Sequence, residues 1–423
     1  MMFLRLAIVF LLLLLPFDLL AAGDRYGYPI EGAYEATILG TPPQMIPVYP
    51  EKIRMRSLVL DVLPERVKPP IFFYDTGLRC TFAWQKKKAP LVFLIAGTGA
   101  SDRADKLITM LKAFYHAGFH VITLPSPTNA NFIVSASRSC IPGDLTDDSA
   151  DLYHAMEVAW EKVRGEIEVS SFNLCGYSLG GDQAAFVAKL DEDRQVFNFR
   201  KVLMIDPSVS IYTSITRIED LLKKVPGGPH QEGIFFNRML SRFSEYYRSS
   251  NFVTLNDEFL YTMYRERLFS SEETGGLISL TFRINLGGMI FASDVMTNSG
   301  YIVPKNKVLM QSDSLYDYFM VSSHLSFFEY FNEYFYPYFQ SKRPGLTIQQ
   351  LAAAQSLKSI EGYLANTPKI GVVANENDFL MGPGDLEYLR NLFGPRLKVY
   401  PKGGHLGNLE YRDNLEEMVA FFR

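Results

Sequence analysis

The segment Gly176-Tyr177-Ser178-Leu179-Gly180 has the pattern G-x-S-x-G and follows a short apolar run. A serine between a strand and a helix takes a strained backbone conformation, and glycines two positions away keep neighbouring backbone from clashing. The turn exposes the serine hydroxyl, and the N–H groups that begin the helix point towards any oxyanion formed there. We therefore predict Ser178 as a nucleophile, with Gly176 and Gly180 as elbow glycines. A glycine-rich turn without chemistry is the alternative interpretation.

A serine hydroxyl becomes a good nucleophile only when a base accepts its proton and an acid orients that base. His405 is the last histidine of the chain and lies in the glycine-rich segment Gly403-Gly404-His405-Leu406-Gly407, after a predicted strand. Asp378 follows the strand predicted before that one. We therefore predict Ser178, Asp378 and His405 as a catalytic triad.

Two other carboxylates remain open as the acid of this triad. Glu376 lies two residues before Asp378, and Asp206 directly follows the apolar segment 201–205. The non-catalytic interpretation of Asp378 is a residue that caps its own loop or faces solvent, and that of His405 is a structural loop histidine.

The elements that must position these residues alternate along the chain. Short apolar runs bounded by glycine indicate strands buried on both faces, and other segments have apolar residues at helical spacing. Strands are predicted at 55–63, 80–85, 91–96, 120–125, 171–175, 201–205, 369–374 and 397–400, and helices at 102–116, 147–163, from 179 onward, 385–393 and 414–422. This alternation predicts an α/β fold with a mostly parallel sheet flanked by helices.

The elbow, the acid and the histidine loop resemble the α/β-hydrolase superfamily, over residues 55–207 and 367–423. The resemblance implies an eight-stranded sheet, the chain order serine, acid, histidine, and hydrolysis through an acyl-enzyme. It also implies an oxyanion hole formed by the backbone N–H groups of Leu179 and Thr98, with Gly99 nearby. Where the superfamily often has His-Gly, this chain has Ala96-Gly97-Thr98-Gly99, which leaves the backbone donors in place.

Residues 208–366 interrupt the alternation and are predicted to form a large, mainly helical cap. Within them, 327–339 reads FFEYFNEYFYPYF, and nine of these thirteen residues are Phe or Tyr. Such a stripe is typical of a packed core; if part of it faces the cleft, it favours a small-molecule or lipid-like apolar acyl substrate. Thr347 with Gln350 predicts a capping box at the start of an amphipathic helix over 347–364.

The first 23 residues have the order of a secretory signal peptide: a positive charge at Arg5, a uniformly apolar stretch, and small residues at 21–23. The apolar stretch is shorter than the roughly 20 residues of a spanning helix, so an uncleaved anchor is the less favoured interpretation. Cleavage after Ala22 or Gly23 would leave an exported chain, periplasmic or secreted. It would begin with an irregular arm up to residue 54, and no later segment is expected to span a bilayer.

Charge and composition limit the partners and cofactors. The formal net charge is −4, and no basic block stands out, so nucleic acid is not an expected partner. Cys80, Cys140 and Cys175 show no C-x-x-C spacing, and a glycine that ends a predicted helix separates His116 from His120. We therefore predict no metal site and no cofactor. A disulfide between Cys80 and Cys140 remains open.

The sequence thus predicts an exported serine hydrolase that cleaves an ester or thioester through an acyl-enzyme on Ser178. The alternatives are a serine peptidase on the same fold and a catalytically silent binding protein that resembles α/β-hydrolases. The occurrence of Ser178, Asp378 and His405 in the expected order favours an enzyme, since a silent relative has no chemical need for all three.

Overall fold

One eight-stranded sheet lies between layers of helices. The structure is a computed structural model that describes residues 26–225, 233–235, 237–239, 241–242, 261–262, 264–267 and 269–423. The strands are β1 (Met55–Leu60), β2 (Leu78–Ala83), β3 (Ala89–Ile95), β4 (His120–Leu124), β5 (Val169–Tyr177), β6 (Lys201–Ile205), β7 (Ile370–Asn375) and β8 (Leu397–Tyr400). The predicted signal segment lies outside the described residues.

The strands are ordered β1-β2-β4-β3-β5-β6-β7-β8. β2 runs antiparallel to both of its neighbours, and the strands from β4 to β8 in this order are parallel to one another. β4 and β7 are buried along their whole length because helices cover both faces of the sheet. The prediction of a mostly parallel sheet flanked by helices is therefore confirmed.

The helices carry the following bounds in the described part of the chain. They are α1 (Ala33–Leu39), α2 (Asp105–His116), α3 (Ala130–Ser135), α4 (Leu145–Val163), α5 (Leu179–Arg194), α6 (Ile211–Lys223), α7 (Ser271–Thr297), α8 (Tyr316–His324), α9 (327–342), α10 (Ile348–Ala354), α11 (Glu361–Asn366), α12 (Asp385–Phe393) and α13 (Arg412–Phe422). The middle of α9, Tyr330–Phe335, is π-helical.

Helices cover both faces of the sheet. α4 and α5 pack on one face, where Tyr153 and Val187 share a core with Phe93 of β3. α2 and α13 pack on the other face, where Phe114 and Phe422 contact each other edge to face. Because the parallel strands all end at the same edge, the residues that follow β3, β5, β6, β7 and β8 meet there.

The start of α4 differs from its predicted position because a different side chain caps it. The sequence favours Thr146 or Asp147 as the N-cap of α4, but the N-cap is Asp144. Its Oδ1 accepts the backbone N–H groups of Thr146 and Asp147, each at 3.1 Å. An aspartate at this position satisfies two N–H groups that the helix itself leaves free, so α4 begins at Leu145.

The segment between β6 and β7 contains helices and turns in its described residues, as a cap requires. α7 and α9 pack with α3 around an apolar core that includes most of the aromatic stripe. The predicted capping box is confirmed, because Thr347 Oγ1 accepts the N–H of Gln350 and Gln350 Oε1 accepts the N–H of Thr347. The single helix expected over 347–364 is instead α10, a 3-10 turn (Leu357–Ile360) and α11.

α7 is long and apolar enough to cross a membrane by length and composition, contrary to the expectation that no segment after the first 23 residues would be. Of its most apolar window, 44% is buried inside the structure. A core helix of a soluble protein passes the same test, so this property is weak evidence for a membrane span. In this structure α7 lies against α6 and α8 and carries residues that line the cavity described below.

The three cysteines are not bridged, and the two paired histidines lie on different elements. Cys80, Cys140 and Cys175 are buried free thiols, so the disulfide left open by the sequence is not formed. His116 ends α2 and His120 begins β4, which places the two imidazoles on different elements.

A buried carboxylate fixes the end of α7 and supplies a test of the cap. Asp294 is 1% exposed and accepts the backbone N–H groups of Tyr301, Ile302 and Val303 at 2.7–2.9 Å. Asp294→Ala leaves these donors without a partner, so we expect the free energy of unfolding to fall by about 2–4 kcal/mol in urea titrations. Asp317→Ala, an exposed change on α8, should alter it by less than about 0.5 kcal/mol. Equal stability of the two variants would contradict this role for Asp294.

Candidate active site

Ser178 lies at the turn between β5 and α5, with φ 54° and ψ −130°. Non-glycine residues rarely adopt positive φ, and such a conformation costs about 1–3 kcal/mol. The glycines beside it permit the turn. A Cβ on Gly176 would lie 2.0 Å from the carbonyl oxygen of Gly180, and a Cβ on Gly180 would lie 2.5 Å from that of Ile95. The two predicted elbow glycines are thus required by close backbone contacts.

The structure brings Ser178, His405 and Asp378 into one chain of hydrogen bonds. His405 Nε2 lies 2.9 Å from Ser178 Oγ, and His405 Nδ1 lies 2.8 Å from Asp378 Oδ2. A carboxylate can only accept at Nδ1, so Nδ1 carries the proton and Nε2 is free to accept the serine proton. Asp378 is buried, and its second oxygen accepts the N–H of Leu380 at 2.9 Å, which fixes the carboxylate.

Neither of the two alternative acids is hydrogen bonded to the imidazole of His405 in the described structure. Glu376 is an exposed side chain that approaches Arg390 at 3.5 Å. Asp206 is buried, and its Oδ2 accepts the N–H of Leu406 at 3.0 Å and the Nδ2 of Asn375 at 2.9 Å. Asp206 therefore supports the loop that carries the histidine, while Asp378 contacts the imidazole.

The N-terminal arm and the loop after β7 hold the histidine loop. Thr37 Oγ1, on α1, accepts the N–H of His405 at 2.8 Å. Asn377 Oδ1 accepts the N–H of Gly404, and Asn375 Nδ2 donates to the carbonyl of Gly404. Gly404 has φ +56°, and a Cβ there would lie 2.1 Å from the carbonyl oxygen of Ala33. Sequence reasoning predicted an irregular arm and missed these contacts, because no local pattern links residue 37 to residue 405.

Buried carboxylates raise the pKa of the imidazole. Burial lowers the pKa of His405, but the charge and hydrogen bond of Asp378, together with the charges of Asp206 and Asp182, outweigh burial, so this pKa lies above its ordinary value. Burial raises the pKa of Asp206, and the nearby Asp378 carboxylate raises it further. One potential ligand atom from each of these three residues lies within 4.8 Å of the others. Both nitrogens of His405 are already hydrogen bonded within the triad, so the donor set fits proton transfer better than metal binding.

Two backbone N–H groups beside Ser178 have no acceptor in the part of the chain that the structure describes. They belong to Thr98, in the loop after β3, and to Leu179, the first residue of α5. The loop is fixed next to Thr98, because Gly99 N–H donates to Thr128 Oγ1 at 2.7 Å and its carbonyl accepts from Asn129 Nδ2. Free, fixed donors on both sides of a nucleophile are what an oxyanion hole requires.

A cavity of about 500 Å³ opens above the triad, between the sheet edge and the cap. Its lining includes Thr98, Ser178, Leu179, Asp378 and His405. Most of the remaining lining is apolar and comes largely from the cap: Ile211, Ile215, Ile218, Ile278, Phe282, Leu286, Met289, Phe327, Phe331, Phe335, Leu380 and Met381. The aromatic stripe of 327–339 therefore packs in the core of the cap and also faces the cleft. The sequence had left both interpretations open.

The strand order and the site together define the class of fold. A mostly parallel eight-stranded sheet has its nucleophile after β5, its candidate acid after β7 and its histidine after β8. The nucleophile lies on a strained strand-to-helix turn with the expected backbone donors. This arrangement is the α/β-hydrolase fold, and the superfamily resemblance seen in the sequence is confirmed.

No family model and no curated protein matches this sequence. Among solved structures, an esterase from the archaeon Pyrobaculum calidifontis is 14% identical, with 92% of this chain and 87% of that chain covered and a TM-score of 0.40. An esterase from the fungus Rhizomucor miehei is 11% identical, with 93% and 97% covered and a TM-score of 0.43. A proline iminopeptidase from Mycobacterium smegmatis is 14% identical, with 84% and 96% covered and a TM-score of 0.38. The fold assignment rests on the topology and the site geometry.

The pKa of His405 provides a test of the acid assignment. Asp378→Asn removes the negative charge that stabilises the imidazolium, so we expect the pKa of His405 to fall, as measured by NMR titration of the imidazole. The His405→Gln spectrum assigns the resonance. Glu376→Gln is the matched control, because it neutralises an exposed acid two residues away. A larger shift in Glu376→Gln than in Asp378→Asn would reverse the assignment.

Proposed function

We propose that this protein is a serine hydrolase that cleaves an ester or thioester of an apolar acyl group through an acyl-enzyme on Ser178. The observation that carries the proposal is the chain of hydrogen bonds from Asp378 through His405 to Ser178, which ends beneath an apolar cavity. The backbone donors of Thr98 and Leu179 complete the set of groups that acyl transfer needs.

Acylation follows from the positions of these atoms. His405 Nε2 accepts the proton of Ser178 Oγ while that oxygen attacks the carbonyl carbon of the substrate. The carbonyl oxygen becomes an oxyanion and accepts hydrogen bonds from the N–H groups of Thr98 and Leu179. Asp378 stays ionised and stabilises the imidazolium, which is why an acid bonded to Nδ1 is essential.

Collapse of the tetrahedral intermediate releases the leaving group. The C–O or C–S bond breaks, and His405 Nε2 donates its proton to the leaving oxygen or sulfur. The acyl group remains on Ser178 Oγ. Water then enters, His405 accepts one of its protons, and the hydroxide equivalent attacks the acyl carbon to release a carboxylic acid and restore Ser178.

The lining of the cavity supports an apolar acyl group. Its apolar side chains come mainly from α6, α7 and α9, and burial of each methylene of an acyl chain against them is worth about 0.8 kcal/mol. A peptidase that recognises a free amino terminus needs a carboxylate facing the substrate. The acids among the described lining residues are Asp206 and Asp378, and both already support the triad. The cavity therefore favours an ester or thioester substrate over a peptide.

A silent binding protein is the remaining alternative, and Ser178→Ala distinguishes it from an enzyme. We expect this change to lower kcat/KM for p-nitrophenyl octanoate by about 10⁴-fold or more, because it removes the atom that forms the acyl-enzyme. It should also abolish labelling by a fluorophosphonate probe. Ser57→Ala, an exposed change on β1, is the control and should retain both signals. Unchanged turnover in Ser178→Ala, or no labelling of the folded wild-type chain, would exclude the proposed mechanism.

Export is part of the proposal and rests on the order of charged, apolar and small residues in the first 23 positions. We expect the protein expressed in a bacterial host to fractionate outside the cytoplasm. Its N-terminal sequence should begin at Gly23 or Asp24, since the small residues before them suit the peptidase site. Replacement of two central leucines of the apolar stretch by Arg should retain the uncleaved chain in the cytoplasm. Cytoplasmic wild-type protein with an intact first segment would contradict export.

A further inference from the structure

Lys106 is a lysine in a cavity whose other lining is mostly apolar. The described lining residues include this one lysine and no arginine. It lies in the first turn of α2 and is partly buried. Its ammonium group forms no hydrogen bond or ion pair with any residue that the structure describes. A lysine placed in such a lining without a partner is available to bind a ligand.

The position of Lys106 relative to the triad follows from α1. Thr37, on α1, accepts the N–H of His405 at 2.8 Å. Gly40, the C-cap of the same helix, lies beside Lys106, because a Cβ built on Gly40 would be 3.7 Å from Lys106 Nζ. Thr37 and Gly40 are three residues apart, or about one helical turn. The ammonium group is therefore on the His405 side of the cavity.

The two acids of the cavity lining are not paired with Lys106. Asp378 is hydrogen bonded to His405, and Asp206 is buried beneath the histidine loop, where it accepts from Asn375 and Leu406. The part of the lining that comes from α6, α7 and α9 is largely apolar. The cavity thus has an apolar side formed by the cap and a cationic side next to the base.

We propose that Lys106 binds an anionic group on the leaving-group part of the substrate and so determines specificity. This inference rests on the proposed serine hydrolase mechanism. His405 donates its proton to the leaving oxygen or sulfur, so the leaving group departs on the side where the ammonium lies. The acyl part occupies the apolar side. A carboxylate or a phosphate on the alcohol or thiol supplies the required charge, and neither is changed by the reaction.

The test compares three octanoate esters with the same acyl group. Their leaving groups are 4-hydroxybenzamide, which is neutral, 4-hydroxybenzoate, which carries a carboxylate, and 4-hydroxyphenyl phosphate. The variants of the full chain are Lys106→Met, which keeps the length of the side chain without its charge, and Lys112→Met. Lys112 is an exposed lysine on the same helix that does not line the cavity, so it is the matched control.

We expect Lys106→Met to lower kcat/KM by about tenfold for the two anionic esters and by less than about twofold for the neutral ester. The preference of the wild type for the anionic esters should weaken as salt rises, because ions screen a partly exposed pair. Lys112→Met should match the wild type on all three esters. A loss confined to the carboxylate or to the phosphate ester supports the proposal and identifies which anion is recognised.

An equal loss on neutral and anionic esters, or no loss on any, overturns the role of Lys106. These results are distinct from failure of the hydrolase proposal, which the neutral ester reports by itself. If wild type does not hydrolyse that ester and Ser178 is not labelled by a fluorophosphonate, the parent proposal fails. Thermal denaturation of Lys106→Met verifies that the variant is folded before its kinetics are compared.

Discussion

The contact between the end of β5 and the start of α5 is the constraint on which the site depends. Gly176 and Gly180 allow backbone to approach backbone more closely than any side chain would permit. Only this approach lets Ser178 occupy a positive-φ turn that lifts its hydroxyl towards the cavity. The same turn leaves the N–H of Leu179 without an intrahelical acceptor, so this group is free to donate to an oxyanion formed beside Ser178. Burial of β5 and α5 in the core on either side offsets the strain, which is about 1–3 kcal/mol.

The base depends on contacts from remote parts of the chain. His405 lies on a loop whose glycines fold against α1, and its backbone is held by Thr37. Asp206 and Asn375, which follow or end neighbouring strands, bind the same loop from beneath. Asp206 was an open choice for the acid from sequence alone, and its geometry gives it a supporting role. Asp206 thus supports the histidine loop from beneath, and Asp378 orients the imidazole at Nδ1. The sequence alone did not show which of these two roles each acid has.

Local patterns predicted the sheet and the order of the site residues. Short apolar runs located β3, β6 and β7, and the elbow motif located Ser178, because strand burial and tight turns constrain residue types over a few positions. Contacts between segments that are far apart in the chain leave no pattern in the local sequence, so they were not predicted. α1 was read as irregular, and Thr37 and Lys106 were not identified as site residues. The aromatic stripe of α9 was ambiguous because periodicity shows that a side chain is buried, without showing whether protein or substrate covers it.

α1 connects the chemistry to substrate recognition. One face of this short helix meets the histidine loop, and its C-terminal end lies beside Lys106. A displacement of α1 would therefore move the base and the space around the ammonium group together. The cap, in contrast, supplies apolar lining from α6, α7 and α9. It contributes no side chain to the hydrogen bonds that join Asp378, His405 and Ser178. In the proposed function, the cap therefore selects the acyl group, whereas recognition of the leaving group is coupled through α1 to the position of the base.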